Sequence, residues 1–343
     1  MEDNKTWEAS WIWADPHGDE ERSTGNELVY FRKTFRLEDA ASMRLTADVS
    51  ADSRYRLYMN GVAVSAGPAR GDLRTHYYET VDLTPYLANG LNVLAAKVLH
   101  FAPGAPRPSA IPSAYTGALL LQGSVTDRED RVVQRLDTDE SWRCRIDRAI
   151  AFLPESYTCV GGGESVEGDR LPHGWQEIGY DDRDWRRAAV IGPAYREYDG
   201  FLTPWQLTAR TIPPMFERDH PFARATRADL SPGAILGDAA SEREWLRLPA
   251  YGRAVVELDA GELTTGYLRF VSSGGRGSEI CFLCLECYES ADGVKGVRDR
   301  AEGNVLRGYR ERYAVSGRTD GDETYETFLF RTFRFVRLEI AAG

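Results

Sequence analysis

Short runs in which apolar and polar residues alternate recur along most of the chain and are its strongest structural signal. From about Val29 onward these runs are rich in β-branched and aromatic residues, and Gly, Pro, Asn and Asp separate them. Alternation with a period of two is typical of a strand that buries one face. The clearest runs are LVYFRKTFRL, MRLTADVS, YRLYMNGVAVSAG, NVLAAKVLHF, GALLLQGSV and SWRCRIDRA. The pattern predicts an all-β protein.

Local turn signals define the hairpins within this pattern. The Asn60-Gly61 pair inside YRLYMNGVAV favours a type I′ turn and therefore a β-hairpin. In its first strand Tyr55, Leu57 and Met59 should share one face, because side chains alternate along a strand. The segment DLTPYLANG predicts the one short helical turn of this region, with Asp82 or Thr84 as its cap and Gly90 as its end.

The length of 343 residues favours two domains. A second group of alternating runs, which includes RAVVELDAG, YRERYAVSG and TFLFRTFRFVRLEI, follows a Pro-containing, polar stretch. We place the boundary near residue 210, so that domains 1–210 and 211–343 are predicted. The helical patterns that a Rossmann, barrel or bundle domain needs are missing from the sequence. Two tandem antiparallel β-sandwiches of the jelly-roll type are the simplest interpretation.

Composition and charge exclude several functional classes. The net charge is −11, and the arginines are scattered singly among acids, which argues against nucleic-acid binding. No run of 18 apolar residues is present, so a membrane protein is not expected. The start, MEDNKTWEAS, lacks the features of a secretory signal. The five cysteines do not form a disulfide framework, and we expect free thiols in the cytoplasm.

The run CFLCLEC, from Cys281 to Cys287, has the spacing of an iron-sulfur or zinc ligand set. Turn signals flank the run, so a strand from Ile280 to Tyr288 is predicted, and in a strand Cys284 points away from the other two thiols. Cys281 and Cys287 would then be roughly 20 Å apart, which is far too distant for one ion. A fourth ligand is also missing nearby. We therefore predict buried free cysteines and no metal.

Motifs for catalysis are absent from the sequence. The five histidines never recur at a spacing of three or four residues, which excludes a zincin pair. The sequence has neither a G-x-S-x-G elbow nor a Walker A motif, and its Gly-rich stretches do not have the G-x-G-x-x-G spacing. Carboxylates are numerous, but no pair of them is specific enough to be named as catalytic. We expect no cofactor, and no motif supports calcium in a jelly-roll loop.

The tryptophans suggest carbohydrate binding, because sugar-binding β-sandwiches stack pyranose rings on indoles and fix hydroxyls with polar side chains. The sequence offers Trp11, Trp13, Trp142, Trp175, Trp185, Trp205 and the loop GPARGDLRTHYY. The alternative is that most of these rings belong to the core; in WIW, alternation puts Trp11 and Trp13 on one face, and one face of a sandwich strand is buried. The candidate sugar-binding residues are Trp13, Arg70, Asp72, His76 and Trp175.

The order of several segments resembles the amino-terminal region of bacterial α-L-rhamnosidases of glycoside hydrolase family 78. ASWIWA, YFRKTF, YRLYMNGVAV, YYETVDLTPYLANGLNVLAAKV and YDDRDWRRAAV look like the family's first β-sandwich, which is itself similar to galactose-binding-like jelly rolls. The stretch from VELDAGELTTGYLRF through CFLCLECYESADG to FRTFRFVRLEI is similar to its second sandwich. In this comparison Glu286 falls at an acidic position of the family.

The resemblance implies a function without catalysis by this chain. In the family, acidic residues of an (α/α)6 helical barrel hydrolyse terminal rhamnosides, and nothing in residues 1–343 resembles that barrel, so no catalytic residue carries over. The first hypothesis is an accessory region that supports the barrel of the same enzyme and binds rhamnose-containing glycans. A free-standing lectin-like module and a self-associating structural scaffold are the alternatives.

Overall fold

The computed structural model describes residues 5–14, 25–105, 107–108, 111, 113–153, 162–194, 197–198, 201–202, 204–237, 246–319 and 321–343. Within these residues every regular element is a β-strand or a short 3-10 helix. The 3-10 helices are Ala40–Ser42, Thr84–Tyr86 and Gly168–Arg170. The predicted all-β class is therefore confirmed.

The strands are numbered in chain order. The first thirteen are β1 Ser10–Trp13, β2 Glu27–Leu37, β3 Arg44–Asp52, β4 Arg54–Met59, β5 Val62–Gly67, β6 His76–Asp82, β7 Gly90–His100, β8 Ala118–Thr126, β9 Val132–Arg135, β10 Arg143–Ile146, β11 Ile150–Phe152, β12 Glu164–Glu167 and β13 Arg186–Arg187. The others are β14 Ala189–Pro193, β15 Glu197–Tyr198, β16 Phe201–Leu202, β17 Leu207–Ala209, β18 Arg224–Leu230, β19 Ile235–Leu236, β20 Leu246–Arg247, β21 Arg253–Gly266, β22 Arg269–Ser272, β23 Glu279–Leu285, β24 Tyr309–Ala314, β25 Glu323–Glu326 and β26 Arg331–Ala341.

The chain forms two compact units. Unit 1 contains Met1–Asp147 and Pro172–Pro214, and unit 2 contains Arg148–Leu171 and Met215–Gly343. This division differs from the predicted domains 1–210 and 211–343, because residues 148–171 fold with the second unit and the rest of that unit begins at Met215. The reason is that β12 pairs in parallel with β24, with Ser165 opposite Arg312. The alternation of apolar and polar residues in a four-residue strand does not indicate which distant strand it pairs with.

Unit 1 is a sandwich of two sheets. One sheet has the order β14-β1-β8-β3-β6-β17, with β9 at the side of β8, and the other has the order β13-β10-β2-β7-β4-β5. The core between them takes Val49 and Leu121 from the first sheet and Phe31 and Leu57 from the second, and all four side chains are fully buried. These residues lie at the alternating apolar positions of their strands, so their burial follows from the sequence pattern.

The predicted hairpin is found, and a 3-10 turn, Thr84–Tyr86, lies within the predicted segment but ends four residues before Gly90 and has Leu83 at its N-cap. Asn60 and Gly61 have φ angles of 51° and 88°, as a type I′ turn requires. Tyr55, Leu57 and Met59 share the buried face of β4. The Thr84–Tyr86 turn begins where Asp82 Oδ1 accepts a hydrogen bond from Thr84 N at 2.9 Å.

The prediction that Trp11 and Trp13 share one face is wrong. Trp13 packs in the core between the sheets, whereas Trp11 belongs to a second cluster that also contains Trp205 and Leu120. The pairing of β1 with β14 shifts register between Trp11 and Ile12. The extra residue is Ile191 of β14, and a β-bulge of this kind disrupts the ladder and increases the local twist of the strand pair.

Within the described residues unit 2 contains one large sheet, with the order β11-β12-β24-β23-β26-β21-β18, and two small ones. β19 pairs with β20 in one small sheet, and β22 pairs with β25 in the other. Phe270 of β22 lies 4.9 Å from Tyr313 and 5.4 Å from Phe282, measured between ring centroids. These aromatic contacts join the β22–β25 sheet to the large sheet around a common core.

The strand that carries the cysteine run ends at Leu285, three residues earlier than predicted, so Cys287 follows the strand. Cys281, Cys284 and Cys287 are buried and free, as is Cys144. Among the described residues no group of three or more His, Cys, Asp or Glu side chains could hold a metal ion. The same part of the chain has no helix long and apolar enough to cross a membrane.

Candidate functional site

The loop that joins β5 to β6, named here the 67–76 loop, carries three of the five predicted sugar-binding residues. Arg70 and Asp72 are exposed, and His76, the last residue of the loop and the first of β6, is only 1% exposed. The loop therefore presents two charged side chains to solvent while its end is fixed in the sheet. Its conformation decides what those side chains can bind.

A buried carboxylate fixes the start of the loop. Glu79 Oε1 accepts a hydrogen bond from Ala69 N at 2.6 Å, and Tyr55 Oη donates to Glu79 Oε2 at 2.8 Å. Arg210 Nη1 lies 3.3 Å from Glu79 Oε1. Burial raises the pKa of Glu79, although these three partners oppose the shift. A Cβ at Gly67 would lie 2.5 Å from Glu79 Oε2, so only glycine lets the chain pass this carboxyl group.

The tip of the loop is a closed turn. Asp72 Oδ1 accepts hydrogen bonds from Arg74 N and Thr75 N, both at 2.8 Å. The backbones of Asp72 and Thr75 also exchange two hydrogen bonds of 3.2 Å. This arrangement is the Asx-turn geometry that aspartate favours. The Asp72 side chain consequently fixes the backbones of Arg74 and Thr75.

The second half of the loop pairs with the strand segment around Gln206. Gln206 N donates to Leu73 O and His76 N donates to Gln206 O, both at 2.8 Å. β17 continues this pairing in parallel along β6, where Leu207 lies opposite His76. The loop is thus held at both ends and at its tip, which lowers the entropy that a ligand would have to remove on binding.

Two groups that the sequence analysis missed complete the exposed part of the site. Tyr77 is half-buried, and a Cβ at Gly71 would come within 3.1 Å of its Cδ2, so the loop backbone lies against the Tyr77 ring. Arg54 Nη1 donates to Pro68 O at the start of the loop. Tyr77 stands in the predicted sugar-binding stretch GPARGDLRTHYY and Arg54 lies outside it; their contacts with the loop depend on the fold and are not visible in the sequence.

A cluster of buried polar groups lies at the end of β3, beside the start of β6. Asp52 Oδ1 is 2.9 Å from His100 Nδ1, and Asp52 Oδ2 accepts from Trp205 Nε1 at 2.9 Å and from Ala114 N at 2.6 Å. Burial alone would raise the pKa of Asp52, but the hydrogen bonds from His100 and Trp205 outweigh it and hold the pKa below its usual value. Asp52 is therefore a structural anion that joins His100 of β7, Ala114 and Trp205 to the end of β3.

His76 is the most unusual member of this region. Its two ring nitrogens have no hydrogen-bond partner among the described residues, and its ring meets the edge of Trp11 with centroids 6.0 Å apart. Burial lowers the pKa of His76, and the Asp52 charge and the Ala51 backbone oppose the shift. With 1% exposure, its ring does not contact solvent and offers no surface to a sugar.

The two tryptophans among the predicted residues belong to the interior. Trp13 is 1% exposed, and its Nε1 donates to Glu27 Oε2 at 2.9 Å. Trp175 is 8% exposed and packs 4.8 Å from Tyr30, measured between centroids. Buried rings present no face to a pyranose, because stacking needs an open face. The structure therefore leaves Arg70 and Asp72 as the exposed members of the predicted set.

Unit 2 has its own buried charge cluster, but it is closed to ligands. Glu164, Glu311 and Arg331 are each at most 1% exposed. Arg331 Nε donates to Glu311 Oε1 at 2.7 Å, and Glu164 Oε1 accepts from Leu329 N at 3.0 Å. Burial raises the pKa of Glu311 to about 7; Arg331 opposes the shift and Glu164 adds to it. Glu286, the acidic position singled out by the family resemblance, is exposed just after β23 and takes no part in this cluster.

Comparisons with known proteins agree with this architecture. Residues 41–199 match the family model described as the alpha-L-rhamnosidase N-terminal domain. The fold is similar to a rhamnosidase of family GH78 from Bacillus sp. GL1, with a TM-score of 0.72 and 17% identity over 98% of this chain and 54% of that one. No match was found among the curated proteins.

Two further solved structures share the fold. The Streptomyces avermitilis alpha-L-rhamnosidase has a TM-score of 0.63 and 21% identity, over 93% of this chain and 28% of that one. The Aspergillus terreus enzyme has a TM-score of 0.65 and 19% identity, over 98% of this chain and 36% of that one. The chain thus spans about half or less of the length of these three relatives.

Proposed function

From the premise that residues 41–199 belong to the alpha-L-rhamnosidase N-terminal domain family, we propose that the chain is the non-catalytic β-sandwich region of an α-L-rhamnosidase-like glycoside hydrolase. The family match carries this proposal. The role of this β-sandwich region would be to support the catalytic barrel of the same enzyme and to shape the approach of the substrate. The cytoplasmic location expected from the sequence stays a prediction.

The side chains and secondary structure support a role without catalysis. The family's chemistry requires acidic residues on a helical barrel, and the described residues contain no α-helix. Glu311, whose pKa is raised to about 7 by burial, is buried against Arg331 and cannot reach a substrate. Asp72 is the only acidic residue of the 67–76 loop. Glycoside hydrolysis needs two carboxyl groups, one on either side of the scissile bond.

Hydrolysis measurements test the proposal. The purified chain should release no p-nitrophenol from p-nitrophenyl α-L-rhamnopyranoside above the buffer blank. Turnover that follows the chain through successive purification steps would overturn the assignment as a non-catalytic region.

A free-standing glycan-binding module is the second candidate, and the 67–76 loop favours it. A loop that is held at both ends and presents charged side chains is suited to bind hydroxyl or carboxylate groups. Calorimetric titration with rhamnose and galactose tests this function independently of hydrolysis. Binding would support glycan contact by this chain, whereas no heat at millimolar sugar would remove the lectin-like function and leave the supporting role in place.

A further inference from the structure

We propose that Glu79 and Arg210 form an acid-sensitive latch that joins the 67–76 loop to the last residues of unit 1. These last residues, named here the 210–214 segment, precede Met215, where the chain continues into unit 2. The latch is closed while Glu79 is an anion and is released when its carboxylate takes up a proton. The position of both segments therefore depends on the charge of one side chain.

The Arg210 side chain holds the 210–214 segment by its backbone. Its Nε donates to Ile212 O at 2.9 Å, its Nη2 donates to Pro213 O at 2.7 Å, and its Nη1 lies 3.3 Å from Glu79 Oε1. The planar guanidinium group thus contacts three oxygens at once. Residues 211–214 are exposed, and the Ile212 side chain is 61% exposed, so burial contributes little to the position of the segment.

Glu79 is the group that the two segments share. Its Oε1 accepts hydrogen bonds from Ala69 N at 2.6 Å and from Arg210 Nη1 at 3.3 Å, so one oxygen contacts the loop and the segment together. Tyr55 Oη donates to the other oxygen, and the Glu79 side chain is only 7% exposed. Hydrogen bonds to an ionised acceptor are roughly twice as strong as those between neutral groups. Loss of the charge therefore weakens the contacts with both segments.

The titratable groups around Glu79 leave Arg210 as the charge that responds to it. From β4 the Tyr55 phenol faces the carboxylate, and burial raises the pKa of Tyr55 well above its usual value, so this group stays neutral. Arg54, the preceding residue of β4, donates to the backbone at the start of the loop. His76 lies three residues before Glu79 on β6 and consequently on the opposite face of the strand.

The sign of the acid effect follows from the Arg210 contact. Burial raises the pKa of Glu79, and Arg210 opposes the shift because it stabilises the anion. Proton uptake by Glu79 must therefore weaken the Arg210 contact while Glu79 stays in the sheet. Global unfolding has the opposite sign, because the contribution of a raised carboxyl pKa to stability is present below the usual 4.5 and is lost as pH rises through the folded value.

Trypsin digestion of the full chain measures release of the latch, because Arg210 is itself a cleavage site. A guanidinium group that is bound to three oxygens cannot enter the protease, so cleavage after Arg210 follows the population of the released state. Cleavage after Arg128, which is exposed between β8 and β9, gives the reference rate within the same chain. Cleavage after Arg32, which is 1% exposed, reports unfolding of unit 1.

Glu79→Gln has nearly the same shape as the protonated acid and should release the latch at pH 8. We expect the ratio of cleavage after Arg210 to cleavage after Arg128 to rise by about five- to tenfold, because a charge-assisted hydrogen bond is replaced by a neutral one. Glu262→Gln is the matched control, since it removes an exposed ion pair of the same 3.3 Å length and should change the ratio by less than about twofold. An unchanged ratio in Glu79→Gln, or an equal rise in cleavage after Arg32, would overturn the latch.

Hydrogen–deuterium exchange of the wild-type chain measures acid release without a substitution. The Arg210 amide donates to Tyr78 O at 3.0 Å, and its protection, corrected for the intrinsic exchange rate, should fall by about threefold or more between pH 7.5 and pH 5. In Glu79→Gln the protection should be low at both pH values. Constant protection in the wild type, or an equal fall in Glu79→Gln, would contradict the proposal, because acid would then act at another group such as His76.

Discussion

Arg331 and Glu311 form an ion pair inside unit 2, where Arg331 Nη2 lies 2.6 Å from Glu311 Oε1 and the two side chains are 1% and 2% exposed. A second carboxylate joins them, since Glu164 N donates to Glu311 and Glu164 Oε1 accepts from Phe328 N at 2.9 Å. Arg331 also donates to Gly162 O at 2.6 Å. These contacts fasten residues 148–171 to the rest of unit 2.

Replacement of Arg331 by methionine should destabilise unit 2 strongly. The variant leaves Glu311 and Glu164 buried without a compensating cation, and removal of one partner of a buried ion pair costs roughly 3–5 kcal/mol. Urea unfolding followed by far-UV circular dichroism measures the change. The control is Arg183→Gln, which removes a surface pair with Asp181 and should cost less than about 1 kcal/mol. Equal losses of the free energy of unfolding in the two variants would show that the buried cluster does not stabilise unit 2.

The raised pKa of Glu311 predicts a pH dependence of unit 2. Burial raises this pKa to about 7, whereas the unfolded chain has a pKa near 4.5. The folded state therefore holds the proton more tightly, and the contribution of Glu311 to stability is present below pH 4.5 and is lost as pH rises through about 7. Between pH 5 and 8 the free energy of unfolding of Glu311→Gln should fall less than that of the wild type, by roughly 1–3 kcal/mol. Parallel curves for the two proteins would contradict this assignment.

The lowered pKa of His76 predicts that unit 1 loses stability as the pH falls, which is opposite to the effect of Glu311 on unit 2. Burial lowers its pKa, so the unfolded state binds the proton first, and stability is present above the usual pKa of about 6.5 and is lost as pH falls toward the lower folded value. His76→Phe keeps an aromatic ring against Trp11 and should remove this loss. Tryptophan fluorescence reports mainly on unit 1, which contains seven of the eight tryptophans. If the stability of the variant and of the wild type falls equally between pH 7 and pH 5, protonation of His76 does not cause the loss.

Gly168 should be essential for the approach of residues 148–171 to β24. A Cβ at this position would lie 2.3 Å from Glu323 Oε1 and 2.7 Å from Ala314 O. Gly168→Ala should therefore destabilise unit 2 by about 1–3 kcal/mol, as overpacking does. Gly296→Ala is the matched control, because no atom lies within 4 Å of the added Cβ. Thermal unfolding of the two variants measures the difference, and similar midpoints would argue against the close contact.

The elements that local alternation and turn chemistry encode were predictable from the sequence. The β4–β5 hairpin follows from Asn60-Gly61, because few other residue pairs adopt positive φ at both positions. The burial of Tyr55, Leu57 and Met59 follows from their spacing of two. The all-β class follows from the same alternation, and the family resemblance adds the order in which the segments build the first and second sandwich.

The sequence could not predict what depends on distant contacts. The placement of residues 148–171 in unit 2 depends on a parallel strand pair and on a buried carboxylate, Glu164, whose partners lie about 160 residues away. The WIW segment is divided between two clusters at the point where the pairing of β1 with β14 shifts register, and the sequence of β1 does not indicate that shift. At the candidate site, Arg70 and Asp72 were named from their loop, but the anchoring by Glu79 and Gln206 emerges only when β17 is paired with β6.

The most direct test of the central claim is a hydrolysis assay with the purified chain and p-nitrophenyl α-L-rhamnopyranoside, run beside a complete α-L-rhamnosidase as the positive control. The Glu286→Gln and Asp72→Asn variants accompany the wild type, because both acids are exposed. We predict no release of p-nitrophenol above the blank from any of the three proteins. Turnover that co-purifies with the wild type and is lost in one of the variants would show that this chain is itself a catalyst and would contradict the proposal.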